Sequence, residues 1–201
     1  MRLDWELRDE YDEIGGQAVL RDAVKEAVEQ TPREHLRRLD ALLILDDDPK
    51  GRSLGLWRQD HDGFTIEIYV RPHVEALLPL PPAVRDFALR LHLAYTLFHE
   101  VGHHVTRVLN KRAAPPRKAD RVEEKIEKWA DEYAEKRVAK LCALWLRPEG
   151  RADTPEGGRA LAVALRALRL DRLVVPPPTE AAKEAINGES PEGTKAAGPA
   201  S

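Results

Sequence analysis

Apolar residues alternate with polar ones at Leu3, Trp5 and Leu7, the period of a half-buried strand. The period then lengthens. Val19, Leu20, Ala23, Val24, Ala27 and Val28 recur at helical spacing and predict a helix over residues 17–30. Thr31-Pro32 carries the signal of an N-cap followed by a first-turn proline, which predicts a second short helix through Leu39. The apolar run from Ala41 to Leu45 ends in Asp46-Asp47-Asp48-Pro49 and reads as a buried strand leaving the core. Leu54 and Leu56, then Phe64, Ile66, Ile68 and Val70, flank Asp60-His61-Asp62-Gly63 and predict a hairpin. Its second strand would put Phe64, Ile66, Ile68 and Val70 on one face and Thr65, Glu67, Tyr69 and Arg71 on the other. One-sided burial of that kind suits an antiparallel sheet backed by helices.

After Pro81-Pro82 the pattern stays helical. Val84, Phe87, Leu91, Ala94, Phe98, Val101, Val105 and Leu109 form one core-facing stripe on a helix of about seven turns. A second helix is expected from Ala119 to about Leu146 and a third from about Glu156 to Leu170. Between the first two lies Lys111 to Arg121, a Pro pair among Lys and Arg residues, which reads as a loop. Residues 176–201 are rich in Pro, Gly, Ala and Glu with almost no large apolar side chain beyond Ile186, so they are expected to form a disordered tail. Residues 1–175 are then a single α+β domain, a small, twisted, mostly antiparallel sheet packed on helices.

Composition narrows the function classes. With 32 Lys+Arg against 35 Asp+Glu the chain carries a net charge of -3, so a nucleic-acid binder driven by bulk charge is excluded. Cys142 is the only cysteine, which excludes an intrachain disulfide framework. No stretch approaches the roughly 18 apolar residues of a membrane span, and the first residues are acidic where a signal peptide would be basic and then apolar. A cytoplasmic protein without a membrane partner is expected. The scarcity of Gln, Asn, Met and Cys accords with a thermophilic or GC-rich source.

The chemistry concentrates in two stretches. His99-Glu100-Val101-Gly102-His103 has the spacing HExxH inside the first long helix. Residues four apart share a helical face, so both imidazoles can converge on one tetrahedral metal ion, with Glu100 beside them to take a proton from water. Gly102 costs a helix interior roughly 1 kcal/mol against alanine, a cost usually met where another backbone or a ligand approaches closely. No histidine follows His104, so a third protein ligand must be a carboxylate. On the next helix Glu127 and Asp131 stand four apart, one able to bind metal and the other to accept a ligand histidine's free ring N–H. Glu123 is the competing third ligand. A donor for a developing oxyanion is not fixed by spacing, and Tyr133, Tyr95 and Arg137 are the candidates. His104 and His92 are read as structural histidines, Trp129 and Trp145 as core or interface aromatics. The basic loop is read as solvated, with an acidic partner as the alternative.

LFHEVGHHV followed by IEKWADEYA resembles the paired signature of the gluzincin zinc peptidases, HExxH on one helix and ExxxD on the next. Glu127, Ala130, Asp131, Tyr133 and Ala134 are most similar to the form found in ImmA/IrrE-type peptidases and minimal soluble gluzincins. The resemblance covers residues 40–146. It implies a zincin-like fold, one zinc ion per chain held by His99, His103 and Glu127, Glu100 as general base, and Asp131 as the acceptor behind a ligand histidine. It also implies that the strand Phe64 to Val70 is the edge strand lining a peptide-binding cleft. The expected activity is hydrolysis of peptide bonds in a protein or peptide, with a regulatory protease as one form of it. The alternative is a zinc-binding regulatory or interaction module of the same fold with little or no catalysis.

Overall fold

The computed structural model describes residues 1–51, 53–61, 63–109 and 119–173. The expected tail at 176–201, and residues 111–118 of the basic loop, lie outside the described residues; Ala119, Asp120 and Arg121 open a helix instead of ending that loop. In chain order the elements are β1 (Arg2–Glu6), α1 (Gly16–Glu29), β2 (Leu39–Leu45), β3 (Gly55–Asp60), β4 (Gly63–Tyr69), α2 (Val70–Leu77), α3 (Pro82–His104), α4 (Ala119–Trp145) and α5 (Pro155–Ala167). The class is α+β, with one four-stranded sheet in the order β1-β2-β4-β3.

The sheet is mixed. β1 pairs with β2 and β2 with β4 in parallel, and only β3 and β4 pair antiparallel, so the expectation of a mostly antiparallel sheet is corrected. The cause lies in connectivity. α1 carries the chain from β1 across to β2, the long connection a parallel pair requires. The β3–β4 hairpin then docks by its second strand, which leaves β3 at the edge and β4 inside. Strand alternation encodes which residues face the core, but not which neighbour a strand selects.

Leu42, Ile44, Ile66 and Ile68 form the core face, in register as Leu42↔Ile66 and Ile44↔Ile68 and at most 1% exposed. The opposite face of β4 is buried as well. Glu67 and Tyr69 are both buried, and the end of the strand is tied to the chain before β3: the Tyr69 amide donates to Leu54 O (3.0 Å), and the Arg71 amide to Asp46 O (2.8 Å). The polar groups there satisfy one another. The Tyr69 hydroxyl donates to Glu67, which also accepts from Arg58 Nη1 at 2.8 Å. One-sided burial therefore fails at this strand, and Val70 starts α2 instead of extending β4.

Two other local expectations change. Thr31 does not cap a second helix; its hydroxyl turns back to Ala27 O (3.0 Å), and a single 3-10 turn (Arg33–Leu36) precedes β2, which already includes Leu39. The long stripe ends its α-helical course at His104 and continues as a π-helical turn over Val105–Leu109.

α3 is the central element, packed by α1, α4, α5 and the sheet. A helix surrounded in this way must be apolar around most of its circumference. Ala88, Leu89, Leu91, Leu93, Ala94, Phe98 and Val101 are all at most 1% exposed. Arg90, almost fully buried on α3, is neutralised by Asp86 (2.9 Å) and by Glu26 of α1 (3.2 Å), and Glu26 also accepts from the Trp145 indole (2.6 Å).

One pair of histidines is stored in this core. The rings of His73 on α2 and His92 on α3 meet edge to face with centroids 4.4 Å apart. Burial pushes His92 down to about 4, and burial followed by the proximity of His92 holds His73 well below its ordinary value. Both are therefore neutral in the fold, whereas the unfolded chain takes up protons near pH 6.5. Stability is complete above about pH 6.5 and falls as the pH drops towards 4. His92→Phe is expected to flatten that decline by about 2 kcal/mol between pH 7 and pH 5, measured as unfolding free energy in urea.

Candidate metal centre

α3 and α4 pass each other antiparallel and unusually close. A Cβ on Gly102 would lie 2.8 Å from Ala130 Cα and 3.1 Å from Ala130 Cβ, so only glycine at 102 and a small residue at 130 permit the approach. This is the backbone approach that a mid-helix glycine signals.

The crossing sets facing side chains in rungs, each one helical turn from the last. His99 faces Asp131, with Nδ1 3.0 Å from Oδ1. Glu127 faces both ligand candidates, with its oxygens 3.4 Å from His99 Nε2 and 3.6 Å from His103 Nε2. Arg107 pairs with Glu123. As the number rises by four on α3, it falls by four on α4.

His99, His103 and Glu127 form a group that could hold a metal ion, each offering a donor atom within 4.8 Å of the others. The two Nε2 atoms are 3.0 Å apart. With metal–ligand bonds near 2.0 Å, a tetrahedral site has an edge of about 3.3 Å, and the separations of 3.0, 3.4 and 3.6 Å bracket it. The tautomer agrees: a carboxylate can only accept, so His99 Nδ1 carries the proton and Nε2 presents its lone pair to the group. Burial, His99 and Arg107 push His103 down to about 4, which keeps it the neutral imidazole that a metal requires. The residues fit a metal with nitrogen and oxygen ligands.

Asp131 also accepts the Tyr95 hydroxyl at 3.0 Å, and Tyr95 stacks on His99 with centroids 6.5 Å apart. Burial and the Asp131 carboxylate push this phenol above its ordinary value. Glu123 belongs to the next rung and lies outside the trio.

Glu100 lies beside the group without joining it. Only 8% exposed, its carboxyl is pushed up to about 7, chiefly by burial and further by Glu127, while the Trp57 backbone N–H opposes the shift. β3 presses directly on this side of α3: a Cβ on Gly55 would lie 2.6 Å from Thr96 Cγ2 and 3.2 Å from Glu100 Cγ. The result is an open cleft of about 280 Å³, walled by Gly55, Leu56 and Trp57 of β3, floored by His99, Glu100 and His103, and closed by Arg107, Glu123 and Glu127. The edge strand at the cleft is thus β3, not the expected Phe64 to Val70 strand, because β4 is enclosed by β2 and β3.

The three candidate oxyanion donors are placed elsewhere. Tyr133 lies six residues, about 240 degrees, around α4 from Glu127, and its hydroxyl sits 2.6 Å from His35 Nδ1. Arg137 covers the Tyr133 ring at 5.2 Å. Neither lines the cleft, and Tyr95 is engaged with Asp131. His92 belongs to the buried pair with His73, Trp145 is core and Trp129 stacks on Tyr133. Reading the sequence missed Gly55, Trp57 and Arg107 as cleft residues. Arg107 had a signal, since it follows His103 by the same four residues that separate the histidines. Gly55 and Trp57 had none, because only sheet order brings them here.

Among the described residues no helix is long and apolar enough to cross a membrane. Comparison with protein-family models, with curated proteins and with solved structures finds no match for this chain.

Gly102→Ala must force α3 and α4 apart. The expected outcome is a loss of about 1–3 kcal/mol in urea unfolding together with at least a tenfold loss in Zn²⁺ affinity, measured by competition with a chromophoric chelator.

Proposed function

We propose that the chain is a zinc-dependent metallopeptidase with a zincin-like fold, His99, His103 and Glu127 holding one zinc ion and Glu100 serving as general base. The observation that carries this reading is the convergence of two imidazoles and one carboxylate at tetrahedral spacing, with a second, buried carboxylate beside them in an open cleft. Zinc bound there supplies Lewis acidity towards a carbonyl oxygen and towards water. A set of His, His and Glu leaves one tetrahedral position free, as catalytic sites do and closed structural sites do not.

Glu100 removes the proton of the attacking water and delivers it to the departing amine, so one carboxyl serves as base and then as acid. Its low exposure excludes bulk water from that exchange. Asp131 holds His99 in the ligating tautomer, and Tyr95 holds Asp131. Among the described residues β3 has a hydrogen-bonded neighbour on one side only, so its other side can pair with an extended peptide backbone laid across the cleft. The paired HExxH and ExxAD stretches support the gluzincin assignment, and a protein or peptide substrate follows from it.

The test joins metal analysis to a peptide-library digest. The purified chain is expected to carry about one equivalent of zinc, Glu127→Ala to lose it, and Glu100→Gln to keep it while cleavage falls by at least a thousandfold. Zinc below a tenth of an equivalent in the wild-type chain, or cleavage retained by Glu100→Gln, refutes the assignment. Full zinc loading with no peptide cleaved by the wild-type chain supports the non-catalytic module instead.

A further inference from the structure

His104 directly follows a metal-ligand candidate, yet it points the other way. A step of one residue turns a side chain by about 100 degrees around the helix. His104 is fully buried beneath β3 and is absent from the cleft wall. Its two ring nitrogens are both engaged. Nε2 lies 2.8 Å from the Arg37 carbonyl, which can only accept, so Nε2 carries the proton. Nδ1 then holds a lone pair and accepts the Trp57 indole N–H at 3.2 Å. Both bonds call for the same neutral tautomer.

β3 presses on the proposed base, where a Cβ on Gly55 would lie 3.2 Å from Glu100 Cγ. Two residues on, the Trp57 side chain reaches inwards, stacked on Phe64 (centroids 6.0 Å, 16° between planes) and covered by the Arg107 guanidinium at 5.5 Å. Phe64 in turn meets the His104 ring edge-on at 5.6 Å. β3 is an edge strand, so on its free side it has no ladder to fix the height of this backbone against α3. The indole bond to His104 is a direct tie from the β3 side chain to the helix that bears Glu100.

We propose that His104 is a positioning residue, which through the Trp57 indole holds β3 against α3 at Glu100 and so fixes the base relative to the cleft wall. This rests on the metallopeptidase reading for its catalytic consequence but not for its structural content. Without the acceptor, the indole N–H is left buried and unpaired, and the strand shifts to satisfy it. The β3 backbone then moves off Glu100.

Two substitutions separate a positioning role from simple packing. In His104→Gln the side-chain carbonyl can accept from the indole while the amide group donates to Arg37 O; in His104→Leu neither bond can form. Hydrogen exchange of the Trp57 backbone and indole N–H groups, followed by NMR on the zinc-loaded full chain, is the primary measurement. His104→Leu is expected to speed exchange of both at least tenfold with zinc content unchanged, and His104→Gln to restore both to within about threefold of wild type. For a peptide cleaved by the wild-type chain, kcat should fall at least tenfold in the Leu variant with KM within about threefold, and recover in the Gln variant. If the Leu variant does not fold, Trp57→Phe breaks the same bond from the other side and should likewise speed exchange of the residue 57 amide. Unchanged exchange in whichever of these two variants folds, or a Gln variant that behaves like the Leu variant, overturns the proposal. A wild-type chain that cleaves nothing removes the proposed function, while the exchange rates still decide for or against His104.

Discussion

Helices α3 and α4 can approach as they do only because residue 102 has no side chain and residue 130 has a methyl group. The 2.8 Å that would separate a Cβ on Gly102 from Ala130 Cα means that any larger residue must push the helices apart. The whole candidate centre depends on that crossing. With the axes this near, side chains one turn apart on each helix face each other in antiparallel rungs, and Glu127 falls between His99 and His103 while Asp131 falls behind His99. A mid-helix glycine lowers intrinsic helix stability, and the buried stripe of α3 offsets that cost. Local weakness and global packing are thus divided between neighbouring residues of one helix.

The second wall of the cleft comes from the opposite side of α3. β3 contributes no ligand candidate, but it buries Glu100, supplies the Trp57 amide to its carboxyl and leaves one backbone edge free. These effects pull the carboxyl in opposite directions, burial raising its pKa and the amide lowering it, with burial the larger. A carboxyl set near neutrality in this way can both take and give a proton. Both walls are therefore fixed to the same helix, one by a glycine contact and the other by a strand pinned through its tryptophan.

Much of the helical frame was legible in the chain. The stripe from Val84 onwards, the helix after the basic loop and the third helix all appear close to their expected bounds, because long amphipathic periods identify helices well. The residues of the candidate centre were legible for a related reason: a spacing of four on a helix is a statement about geometry, so HExxH and Glu127/Asp131 already specified two facing rows. The sheet was read less well. Val70 alternates correctly for a strand and nevertheless opens α2, and Glu67 and Tyr69 look solvent-facing yet are buried. Tyr133 and Arg137 lie outside the cleft lining because helical angle, not nearness in sequence, decides what faces it, and Tyr133 is turned towards His35.

The amino-acid sequence by itself determined the helices, the class of the domain, the lack of a second cysteine and the helical spacing of His99, His103, Glu127 and Asp131, since all of these follow from local spacing or from composition. Only the tertiary structure decided that β4 is internal and β3 is the edge, that Glu127 and not Glu123 completes the group, and that Trp57, Gly55 and Arg107 form the rest of the cleft. Each of those outcomes depends on a contact between segments far apart in the chain. Strand order and helix crossing are set by what packs against what, and a period of two or of 3.6 residues carries no record of the partner.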